Sequence, residues 1–141
     1  MHQISRFQME ENAITKLLKG MEELPTLRDR VAKVLSTLPQ DVLIDLSEDS
    51  RFCISIDNYR PGKGSTVWME APSLDACSRS IVLKRRLAEC SEEFAFYVIA
   101  HEFAHAYLRN GGWGEITDRE DAADALADHW GHPRPNGPFP W

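Results

Sequence analysis

The chain is short of cysteine: three in 141 residues, Cys53, Cys77 and Cys90, with no CxxC pair. An odd, scattered set does not make a disulfide framework, and it predicts reduced, buried thiols in a cytoplasmic protein. Long apolar runs are also missing. None reaches the roughly 18 residues that a membrane span needs, so no membrane partner is expected. The first residues, MHQISRFQMEENAITKLL, have neither the basic start nor the apolar stretch of a signal peptide. Basic residues are in deficit, 16 Lys and Arg against 22 Asp and Glu, for a net charge of −6. That balance excludes a broad electrostatic grip on nucleic acid. There is no internal repeat and no linker long enough to separate domains.

What remains is ordinary globular composition, 43% hydrophobic and 27% charged. It predicts a single domain over residues 1–141, with a proline-rich tail at 132–141. Ile4, Phe7, Ile14, Leu17, Leu18 and Met21 fall near helical spacing. A second apolar stripe, Leu27, Val31, Val34, Leu35 and Leu38, lies between Pro25 and Pro39, with Thr26 and Asp29 as an N-cap pair. The middle reads as sheet. Val42–Leu46, Phe52–Asp57, Thr66–Glu70 and Ser80–Leu87 are short and β-branched, and polar turns bound them. Gly62-Lys63-Gly64 lacks the glycine spacing and following helix of a phosphate cradle, so it reads as a turn.

Chemistry concentrates further on. Ser91 opens a helix with Glu92 and Glu93 in its first turn, and Gly111-Gly112 close it. Phe94, Phe96, Val98, Ile99, Phe103 and Tyr107 make it apolar on more than one side, as a buried helix is. Inside it sits His101-Glu102-Phe103-Ala104-His105. Histidines four apart share a face and can grip one metal ion. Glu102 lies about 100° round the helix, placed to act on a water without itself ligating. A third protein ligand is needed. The candidates are Glu115, Asp118, Glu120, Asp121, Asp124, Asp128, His129 and His132. Thr117–Trp130 reads as a second helix joined by a short turn. Glu120 is equally suited to a capping box with Thr117 or to a ligand role, and spacing leaves both open. Asp124 shares its face.

HEFAH followed by Glu120-Asp-Ala-Ala123-Asp124 resembles the glutamate-zincin arrangement, HExxH then ExxA[D/N]. The chain is similar over roughly residues 80–129 to the ImmA/IrrE-type metallopeptidases. The resemblance implies a zincin-like α+β fold: N-terminal helices, a small twisted mixed β-sheet, the HExxH helix and a following glutamate helix. It implies one Zn2+ per chain held by His101, His105 and Glu120, with Glu102 as general base and Asp124 orienting a zinc histidine. It also implies a substrate peptide added as a strand beside the edge strand Ser80–Leu87. The expected function is then a zinc metallopeptidase acting on a peptide or protein substrate. The alternatives are a metal-binding regulatory protein of the same fold that cleaves nothing, and a helical interaction module without metal. No residue is assigned to oxyanion stabilisation. Tyr107 reads as core, and His129 and His132 stay open. The tail, with Phe139 and Trp141, reads as a strap on the body.

Overall fold

The computed structural model describes residues 6–57 and 79–136. Within them the chain is α+β, with five α-helices and a two-stranded sheet. Helix α1 spans Arg6–Leu17 and α2 spans Pro25–Leu35. Proline sits at the first helical position of α2, where its missing N–H is no loss. The expected cap pair is not used. Leu24 is the N-cap, and no side chain bonds the first turn.

The expected strand at Val42–Leu46 is a helix, α3, Gln40–Glu48. Its buried residues are Val42, Leu43, Leu46 and Ser47, spaced as one helical face. Pro39 sets the start, and its carbonyl accepts from the N–H groups of Val42 and Leu43. A short apolar run looks alike in strand and helix, and packing against α1 decides between them here.

Strand β1, Ile54–Asp57, pairs in parallel with β2, Ile81–Lys84, with Ile54 opposite Ile81 and Ile56 opposite Leu83. Those four side chains are buried, whereas Val82 and Lys84 face outward. The expected Ser80–Leu87 strand is therefore shorter. It gives way to a 3-10 turn at Arg85–Ala88. The expected mixed sheet is purely parallel among the described residues. The expected strand Thr66–Glu70, the loop around Gly62, and Phe139 and Trp141 of the tail lie outside those residues.

The turn after β2 is clamped from α2. The Arg30 guanidinium donates to the Leu87 and Cys90 carbonyls at 2.6 and 2.8 Å. Helix α4, Glu92–Tyr107, follows with Ser91 as N-cap, its hydroxyl accepting from Phe94 N–H. Helix α5 spans Arg119–His129 and lies along α4. Buried side chains from all five helices and both strands join in one core, with Phe103 fully buried against Phe52. No described helix is long and apolar enough to cross a membrane. The expectation of uniformly reduced thiols fails at Cys53, which is disulfide-bonded; Cys90 is free.

Candidate metal centre

Two termini decide how the centre is presented. Helix α4 ends sooner than its glycines suggest. Leu108 is the C-cap, and the next two residues, Arg109 and Asn110, take left-handed φ of 53° and 59°. Asn110 N–H returns to the His105 carbonyl and Arg109 N–H to that of Ala106, a Schellman closure built without glycine. The chain then turns back through a Trp113–Ile116 bridge. Helix α5 starts at Asp118, whose carboxylate accepts from Glu120 and Asp121 N–H, each at 2.9 Å. The capping role belongs to Asp118, so the capping-box reading of Thr117 and Glu120 is corrected. The Glu120 side chain is left free to reach across to α4.

It meets His105. Both carboxylate oxygens lie against His105 Nε2, at 3.0 and 2.9 Å. One of them is also 3.5 Å from His101 Nε2. The two imidazoles stand edge to face, 4.6 Å between centroids. Donor atoms of His101, His105 and Glu120 all fall within 4.8 Å of one another. Both histidine side chains are mostly buried, at 16% and 13% exposed, whereas Glu120 is 61% exposed. The trio is thus open to solvent on the Glu120 side.

Behind His101, Asp124 Oδ1 accepts from Nδ1 at 2.7 Å. The same oxygen accepts from the Tyr97 hydroxyl at 2.6 Å. Burial, then the adjacent Asp124, pushes the Tyr97 phenol well above its ordinary range, so it stays a donor. His105 has no such support. Its Nδ1 is buried without a hydrogen-bond partner among the described residues.

Two imidazoles and a carboxylate are a donor set of the kind taken by zinc or by non-haem iron. Ligand bonds of about 2.0–2.2 Å in a tetrahedron place neighbouring donor atoms roughly 3.4 Å apart. The Glu120 contacts to the two Nε2 atoms, 2.9 and 3.5 Å, bracket that spacing. Asp124 occupies His101 Nδ1 and so directs the Nε2 lone pair toward Glu120.

Glu102 faces the neighbouring cleft. Ser80, Ile81, Glu102, His105, Arg109 and Asn110 are among the residues lining this space of about 180 Å³. Burial raises the Glu102 carboxyl above its ordinary pKa, Glu120 adds to the rise, and His101 and His105 oppose it. The start of β2 forms one wall, where the expected substrate strand would lie. Arg79 also lines the cleft; its side chain is 7% exposed and braces this wall, donating to Asp45, Asp49 and the Ala106 carbonyl.

The other candidates go elsewhere. Tyr107 packs on Trp130, and His129 on Trp113. His132 lies edge-on to Phe96 and bonds Thr37. Glu115, Asp121 and Asp128 are exposed. Sequence reasoning missed Tyr97 and Arg79. The spacing Tyr97, His101, His105, each four apart, was the available signal for the first. Nothing local marks the second. No protein-family profile, curated protein or solved structure matches the chain.

Proposed function

We propose that the chain is a zinc-dependent metallopeptidase with a zincin-like fold, hydrolysing peptide bonds in peptide or protein substrates. The carrying observation is the convergence of His101, His105 and Glu120 donor atoms within 4.8 Å, with Glu102 on the adjoining cleft. His101, His105 and Glu120 would hold the ion. When bound, zinc supplies Lewis acidity, polarising a carbonyl and lowering the pKa of water.

The remaining work falls to the chain. Glu102 takes a proton from the attacking water onto its carboxylate and passes it to the leaving amine. In the metal-free chain, burial raises its carboxyl above the ordinary glutamate value. Asp124 holds the His101 ring in one orientation. Arg79 and Ile81 direct their N–H groups to the Arg51 and Cys53 carbonyls, which leaves the backbone of Ser80 between them as the part of the cleft wall turned toward an extended substrate.

The test uses protein purified without a histidine tag. Elemental mass spectrometry should find about one zinc per chain. Cleavage of an unfolded protein substrate should occur with the wild type and vanish in Glu102→Gln, which keeps its zinc. Zinc without cleavage would leave the non-catalytic, metal-binding role. A folded wild type that takes up no zinc would remove the metal reading altogether.

A further inference from the structure

Tyr97 is 7% exposed and sits one turn before His101 on α4. Its hydroxyl reaches across to α5 and donates to Asp124 Oδ1, the same atom that takes the His101 Nδ1 hydrogen. Its ring packs 5.8 Å from that of His101. Two hydrogens on one carboxylate oxygen fix that oxygen in place, since rotating it away breaks both bonds. Asp124 needs this restraint, because its side chain is 34% exposed and water competes for its lone pairs. His101 also has an alternative. Glu120 lies 3.5 Å from its Nε2 and competes for the single ring hydrogen of the neutral imidazole. A hydrogen on Nε2 would block that atom as a metal donor.

We infer that Tyr97 is a positioning residue for the metal centre: its hydroxyl pins Asp124, and Asp124 keeps the hydrogen of His101 on Nδ1, leaving Nε2 open toward Glu120. The hydroxyl bonds to none of the three donor residues. It acts through Asp124, which makes the role separable from packing. Most of a buried tyrosine's stabilisation comes from its ring, and Tyr97→Phe leaves the ring contacts with Phe94 and His101 in place.

The inference rests on the zinc site proposed above, and its test reads two quantities. The first is zinc affinity of the full chain, by competition with a chromophoric chelator. Tyr97→Phe should bind about tenfold more weakly, the low end for loss of a group supporting a metal histidine. In an Asp124→Ala background the same substitution should add nothing further. Unchanged affinity in Tyr97→Phe overturns the inference. An equal loss in both backgrounds overturns it too, because the hydroxyl would then act by another route. The second readout needs no zinc. Long-range 15N NMR of the metal-free chain, above the histidine titration range, should show His101 with its hydrogen on Nδ1 in the wild type and divided between the nitrogens in Tyr97→Phe. An unaltered tautomer refutes the role of Tyr97. A wild type that binds no zinc sinks the proposed function, and the tautomer measurement still decides the inference.

Discussion

The carboxylate of Glu120 straddles Nε2 of His105, one oxygen at 3.0 Å and the other at 2.9 Å. The contact exists because Asp118, two residues earlier, has already satisfied the first N–H groups of α5. One acid thus caps the helix, and the other, two residues on, reaches across to α4.

That division is testable. Asp118→Ala removes a cap and should cost about 1 kcal/mol of stability, read by urea denaturation of the metal-free protein, with zinc still bound. Glu120→Ala should leave metal-free stability nearly unchanged and weaken zinc binding by at least about a hundredfold. A Glu120→Ala protein that held zinc as tightly as wild type would remove Glu120 from the donor set.

Arg79 gives a second prediction. Its guanidinium is buried against Asp45, Asp49 and the Ala106 carbonyl. Arg79→Met leaves those acceptors behind and should destabilise by roughly 3 kcal/mol. Arg51→Met, on an exposed arginine bonded to Asp49, should cost much less, because solvent screens that pair. Comparable losses in denaturant midpoint for the two variants would contradict this picture of the brace.

The acid limb of stability has two contributors with the same sign. Burial pushes the His132 imidazole below its ordinary value. Below about pH 6.5 the unfolded chain takes a proton there that the native chain resists. Stability is therefore full above that pH and lost as pH falls through the native pKa. His132→Gln should flatten the fall in melting temperature between about pH 7 and 5. Hydrogen bonds from Arg51, then from Arg79, hold Asp49 well below the usual carboxylate range. Its contribution is present above about pH 3.9 and disappears in stronger acid. A pH–melting curve unchanged by His132→Gln would contradict the first part.

The turn between α4 and α5 supplies a contrast. A Cβ at Gly112 would lie 2.4 Å from the Ile116 carbonyl oxygen and 3.1 Å from Thr117 Cα. Both neighbours are backbone, so Gly112→Ala must shift the turn and should destabilise by about 1–3 kcal/mol. Arg109 is the reverse case, a side chain held at φ 53°. Arg109→Gly should raise stability by about 1 kcal/mol despite losing the 3.3 Å contact with Asp45. Thermal melts of the two variants should move in opposite directions.

Legibility in the sequence followed distance along the chain. Helices α4 and α5 could be read because Ser91, the acids after it and the apolar spacing are local signals. Spacing put Glu120 and Asp124 on one face of α5 but left Glu120 open between cap and ligand; its approach to His105, and that of Asp124 to His101, were expected only from the resemblance to the glutamate-zincin pattern. Helix α3 could not be read, because five apolar-rich residues after a proline satisfy either period, and contact with α1 selects the helix. The end of α4 was misplaced because Arg109 and Asn110 occupy left-handed positions that glycine usually takes. Arg79 was invisible, since its partners lie 27 to 34 residues away. Tyr97 was legible but unread, since in a helix so rich in apolar residues one more aromatic passes for packing.

The parallel register of β1 and β2 bears on how the molecule assembles. Joining Ile54 to Ile81 requires closing a long segment of chain before any ladder bond forms, whereas His101, His105, Glu120 and Asp124 lie on consecutive helices across one short turn. Loop-closure entropy rises with the length closed, and contacts of short sequence separation form fastest. The donor trio therefore comes together with the α4–α5 pair, ahead of the cleft wall contributed by β2. When the full chain refolds, His101, His105 and Glu120 are thus expected to meet before the groove beside them is complete.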